Sequence, residues 1–220
     1  MTEPNRDPRH TFAEAAEVFG QLGRAIPPDA WDGPGLGEWD LRSLVGHTSR
    51  SLITVETYLG QPANSEDVPT AAAYYSAIST VDPAAVAGRG REAGRALGDD
   101  PVAAVRSLVP RVLALVQRAE NPLITTVAGG MRLRTYLPTR TLELVVHGLD
   151  IATAVDLPPP DYHHAVLSEV AEVAAGGSAA GPWARADSRA DRAGTASGRF
   201  LGGLRTLLWW STLGRCPTAR

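Results

Sequence analysis

Glu143 and His147 lie four residues apart in Arg140-Thr141-Leu142-Glu143-Leu144-Val145-Val146-His147-Gly148-Leu149-Asp150. On a helix that spacing puts both side chains on one face, where they can hold one ion together. Leu142, Val145, Val146 and Leu149 recur at spacings of three and four, as on a buried helical stripe. Arg140, Glu143, His147 and Asp150 fall on the adjacent stripe. Ionisable groups on an apolar helix are costly unless they serve one another or a metal. A Glu-xxx-His pair supplies two ligands, and a zinc-type site needs a third. His47 is the best candidate, on another predicted helix among Leu41, Leu44, Val45 and Leu52.

Each of these residues also has a structural reading. His47 could be a buried histidine bonded to a carbonyl, and Glu143 with His147 a helix-surface pair. Arg140 could neutralise Glu143 with no metal involved. Asp150 sits towards the C-terminal end of its helix, where the dipole disfavours an anion, so a partner is expected, such as a bond to a ligand's far side. Trp31 and Trp39 read as packing residues, with pocket lining as the alternative. His10, His163 and His164 read as solvated.

The elements that must position these groups read as helices. One is expected over 11–25, capped by Thr11, with Phe12, Ala15, Ala16, Phe19, Leu22 and Gly23 inward and Pro27-Pro28 ending it. A loop rich in Gly, Pro and Trp leads to Asp40, a credible N-cap for a helix over 41–59. Residues 69–97 read as two helical pieces broken at Asp82-Pro83. A further helix spans 100–119, with Pro110 inside it. Residues 123–134 read as an extended excursion turning at Gly129-Gly130. The helix carrying Glu143 is expected over 136–155, stopped by Pro158-Pro159-Pro160, and another over 161–175. Residues 176–198 read as a loose linker, followed by an apolar piece over 200–213 with Trp209-Trp210. The result is an all-α bundle of four main helices with additions.

Composition narrows the chemistry. The chain has 220 residues and a net charge of −3, with no basic tract, so nucleic acid is not an implied partner. No apolar stretch approaches the roughly 20 residues of a membrane span, and the polar N-terminus suggests a cytoplasmic protein. Every basic residue except histidine is arginine. The absence of lysine removes Schiff-base chemistry and the lysine-dependent phosphate loop. Cys216, the single cysteine, cannot form an internal disulfide. The Ala, Gly and Arg richness reads as a GC-rich coding sequence of actinobacterial type.

Two stretches, Glu38-Trp39-Asp40-Leu41-Arg42-Ser43-Leu44-Val45-Gly46-His47 and Tyr136-Leu137-Pro138-Thr139-Arg140 continuing through Glu143, His147 and Asp150 to Ala152, resemble the mycothiol-dependent maleylpyruvate isomerase family, a branch of the DinB-like bundles. The resemblance covers roughly residues 10–157. It implies a DinB-like four-helix bundle (1–157) holding a divalent metal, usually zinc, on His47, Glu143 and His147; the helix pattern itself puts Arg140 and Asp150 behind them. It also implies mycothiol, a small thiol, as cofactor or co-substrate alongside a small-molecule substrate. Thiolate addition and elimination would give cis–trans isomerisation, and addition alone an S-conjugate. Family isomerases carry a second α/β domain that supplies an arginine; residues 158–220 read as a reduced extension, and Arg215 is given no role. Two other readings stay open: a metalloenzyme that uses bound water without a thiol, and a non-catalytic bundle that binds a ligand or forms a homodimer through Trp209-Trp210.

Overall fold

A computed structural model describes residues 7–80 and 82–180. The elements run α1 (Pro8–Ala25), α2 (Leu41–Leu59), α3 (Ala71–Ile78), α4 (Pro83–Ala96), α5 (Pro101–Arg118), β1 (Leu123–Thr126), β2 (Gly129–Arg132), α6 (Leu133–Ala154) and α7 (His164–Ala180). The described residues are all-α apart from one small hairpin, and the fold is DinB-like.

Polar residues ahead of apolar runs start most of these helices. The side chains of Asp40, Thr70, Asp82 and Asp100 accept backbone N–H bonds from Ser43, Ala73, Ala84 and Ala103, each satisfying a donor that the first turn leaves unpaired. Asp40 opens the helix that carries His47. Asp40→Ala should therefore cost about 1 kcal/mol, seen as a lower urea midpoint with an unchanged slope.

Three sequence expectations need correction. The first helix begins earlier, because Asp7 caps it and Pro8 takes the first helical position. Thr11 lies inside that helix, and its hydroxyl donates to the Glu169 carboxylate of α7 at 2.8 Å. The hairpin turns at Val127-Ala128, while Gly129 and Gly130 belong to β2. The triple proline does not stop α6. Asp156 adopts a left-handed conformation (φ 54°), and the N–H groups of Asp156 and Leu157 bond back to the carbonyls of Thr153 and Ala152. That pair of bonds is a Schellman closure, with aspartate in the place glycine usually takes.

The bundle is α1, α2, α5 and α6. Helices α1 and α2 each pack against both α5 and α6, which closes the ring. Phe12, Phe19, Leu41, Leu44, Leu52, Val112, Leu137 and Leu144 are among the side chains that fill it. Helix α5 runs through the exposed Pro110 without a break. Helix α4 lies against the outside of α2 at a crossing made of glycines. A Cβ on Gly46 would collide with the backbone of Ala93 and Gly94, and one on Gly94 would come within 2.8 Å of the Arg42 carbonyl oxygen.

The hairpin ties α2 to α6. Gln61 and Ala63, just past α2, exchange backbone bonds with Thr125 and Leu123 of β1. Asp67 holds β2 through the Gly130 N–H at 2.8 Å, and β2 runs directly into α6. Helix α7 packs on α1, α3 and α6 and continues past Gly176, where composition predicts a linker, to Ala180. The rest of that linker, Trp209-Trp210, Arg215 and Cys216 lie outside the described residues. No helix among the described residues is long and apolar enough to cross a membrane.

Candidate metal centre

His47 from α2 meets Glu143 and His147 from α6 inside the bundle. Each offers one ligand atom, and these atoms all lie within 4.8 Å of one another. The two imidazoles meet edge-on with centroids 5.0 Å apart. His147 is buried, whereas His47 and Glu143 are partly exposed.

His147 is held from both ends. Its Nε2 lies 3.4 Å from a Glu143 oxygen and its Nδ1 lies 3.2 Å from Oδ2 of Asp150. Asp150 therefore has the partner that its place near the helix end demanded. This bond fixes the ring's tautomer, with Nδ1 protonated and Nε2 turned to the cluster. Tyr75 of α3 donates its hydroxyl to the Thr139 carbonyl at 3.0 Å and to Glu143 at 3.3 Å, which steadies the carboxylate. Trp39 forms a wall. It is buried, its indole N–H donates to the Ala87 carbonyl at 3.0 Å, and its ring packs on His47 at 4.6 Å. Gly90 of α4 makes room for that indole, since a Cβ there would sit 2.6 Å from it. Trp31 packs against the Arg42 guanidinium, 5.8 Å from its ring centroid.

The charges are polarised. Burial lowers the pKa of His47 to about 3, and the neighbouring His147 charge pushes it the same way. Burial would also lower that of His147, but the bonds to Asp150 and Glu143 win and raise it to about 9. Burial would raise that of Glu143, but the His147 bond and the Arg140 charge hold it near 2. The metal-free cluster at neutral pH is thus one neutral imidazole, one imidazolium and one carboxylate.

Nδ1 of His47 is fully buried and has no hydrogen-bond partner among the described residues. Buried polar atoms in proteins are rarely left so. The buried-histidine alternative needed a carbonyl partner, and none meets this atom. Two imidazoles and a carboxylate brought together in this way are a donor set that zinc and similar cations take. The residues fit a divalent metal.

The profile of the mycothiol maleylpyruvate isomerase N-terminal domain matches residues 12–152. The chain belongs to that family. The match spans α2 and nearly all of α6, and so contains His47, Glu143 and His147. Membership places the chain among mycothiol-related, metal-binding enzymes of broadly isomerase-like type. No curated protein and no solved structure matches it.

Sequence reasoning missed the tyrosines. Arg140 makes no ion pair with Glu143 among the described residues. Its guanidinium lies over the rings of Tyr136 and Tyr74, 5.0 and 5.3 Å from their centroids, and its Nε donates to the Thr139 hydroxyl. Tyr136 lies one turn before Arg140 on the same helix, a spacing visible in the sequence. Tyr74 and Tyr75 come from a different helix, and no local pattern announces them. His10, His163 and His164 are exposed, as expected of solvated side chains.

Proposed function

We propose that the protein is a divalent-metal enzyme, with zinc the favoured ion, that activates a small thiol of the mycothiol type for attack on an electrophilic small molecule, giving S-transfer or cis–trans isomerisation. The convergence of His47, Glu143 and His147 carries this reading, together with the family the chain belongs to. When bound, the cation supplies Lewis acidity that makes an incoming thiol a better acid and hence a nucleophile at neutral pH. The chain's own residues prepare the place. Glu143 brings a negative charge that Tyr75 keeps in position. Asp150 orients the ring of His147. Trp39 closes one side of His47 against water.

Loading the metal requires His147 to give up the proton on Nε2, while Nδ1 keeps its bond to Asp150. Because this pKa is raised to about 9, uptake at pH 7 should release close to one proton per ion. Affinity should climb with pH and level off above about 9. Calorimetry in two buffers of different ionisation enthalpy measures this directly.

The function itself is tested by turnover of mycothiol with electrophilic alkenes on the zinc-loaded chain. Turnover should require both metal and thiol. Activity in rigorously thiol-free preparations would overturn the thiol's role, and activity after chelation would overturn the metal's.

A further inference from the structure

The two oxygens of Glu143 have different neighbours. Oε2 lies at the cluster, 3.4 Å from Nε2 of His147. Oε1 instead meets the hydroxyl of Tyr75 at 3.3 Å. That hydroxyl also donates to the Thr139 carbonyl at 3.0 Å. Thr139 lies about one helical turn before Glu143, so its carbonyl fixes the tyrosine oxygen relative to the carboxylate. One hydroxyl proton serves both acceptors, and the charged one draws it more strongly.

Tyr75 is itself well held. Its ring meets that of Tyr74 edge-on, with centroids 5.7 Å apart. Tyr74 is buried and packs in turn on Tyr136 of α6 at 5.6 Å. Thr70 caps α3, which carries both tyrosines, through the Ala73 N–H at 3.1 Å. Helix α3 docks on α6 and α7. Tertiary packing therefore sets where the hydroxyl stands.

The consequence concerns how many oxygens Glu143 can give an ion. A carboxylate binds a cation through one oxygen or through both. Beside two imidazoles, one oxygen completes a set of three protein donors and leaves a fourth tetrahedral position open, whereas two oxygens would fill it. A hydrogen bond on Oε1 opposes the second mode, because its proton and the cation compete for the same oxygen.

We propose that Tyr75 is a positioning residue that keeps Glu143 a one-oxygen ligand, and so keeps one coordination position free for the reacting small molecule. This assignment rests on the metal-dependent function proposed above. It makes the hydroxyl of Tyr75, rather than its ring, the group that matters.

The test uses cobalt(II) in place of zinc on the full chain, read by visible absorption. The wild type should show the intense bands of a four-coordinate ion. Tyr75→Phe keeps the ring and its contact with Tyr74, so the fold should persist, which a thermal melt checks. It should still take up cobalt, but with the weaker bands of a higher coordination number. 2-Mercaptoethanol, titrated as the thiol probe, should bind it about tenfold or more weakly than the wild type. Tyr74→Phe removes a neighbouring hydroxyl that makes no bond to Glu143, and should match the wild type in both readouts. Unchanged bands or unchanged thiol affinity in Tyr75→Phe would overturn the assignment. Equal losses in Tyr74→Phe would do the same by making the effect one of packing, as would weak bands already present in the wild type. A wild type that takes up no cobalt would overturn the metal-dependent function and this assignment with it, so the two failures are told apart.

Discussion

Glu143→Ala and His47→Ala should both emerge from purification essentially free of metal, while the wild type carries close to one ion per chain by elemental analysis. Each substitution takes one donor from a set of three drawn from two helices, and two donors do not fix a divalent ion in place. Loss of an outer hydrogen-bond partner alone typically weakens a metal site roughly 10- to 100-fold; Asp150→Asn should fall in that range, and removal of a ligand beyond it. The two alanine variants differ in what they leave behind. His47→Ala removes an atom that is unpaired in the metal-free fold, so the chelated variant should be about as stable as the chelated wild type apart from the cavity. Glu143→Ala leaves the His147 imidazolium with Asp150 alone, and its raised pKa should drop back towards the ordinary histidine range. Histidine resonances followed by NMR against pH would show the difference. Metal retained at wild-type levels in either variant would remove that residue from the ligand set.

Gly46→Val should be the most destabilising single change in α2, by about 3 kcal/mol or more. The new side chain meets the backbone of Ala93 and Gly94, which no rotamer change can move aside. Helices α2 and α4 would have to separate, and Trp39, seated against α4 through Gly90 and Ala87, would shift with them. For a chain of this size that is a fall of roughly 6–12 °C in Tm. Because Gly46 precedes His47, metal binding should weaken as well. Gly88→Ala is the matched control on α4. A Cβ there meets nothing within 4 Å, and replacing glycine inside a helix should stabilise by up to about 1 kcal/mol. Opposite signs at two glycines of one packed helix pair would establish that close backbone approach makes Gly46 necessary. Equal effects would refute it.

Most of the bundle was legible because its signals are local. Asp40, Asp82 and Asp100 each precede a helix and cap it, and the inward face read for the first helix, Phe12 to Gly23, is the buried one. The cluster was legible in part. The i, i+4 spacing pairs Glu143 with His147, and the apolar helical setting of His47 made it the best third ligand, but only the resemblance tied the three together, because nothing in spacing alone reports a contact across about a hundred residues. The errors have a similar origin. Thr11 resembles a cap, yet Pro8 makes a better first helical residue, and only the docking of α7 shows that Thr11 pairs with Glu169. Asp156 gave no sign of ending α6, because left-handed aspartate is uncommon and the prolines downstream drew attention away. Tyr75 reaches Glu143 only because α3 folds back over α6, which no periodicity encodes.

The hairpin that joins the ends of α2 and α6 bears on how tightly an ion can be held. It pins the end of one helix to the start of the other through bonds on both strands. His47 is therefore presented to Glu143 and His147 at a high effective concentration before any ion arrives. The ordering entropy is spent during folding, so little of an ion's binding free energy is consumed in drawing the helices together. Cleaving the chain at the exposed Val127 tip (68% accessible) would keep every ligand and loosen only this coupling, turning a prearranged chelate into two half-sites that must find each other.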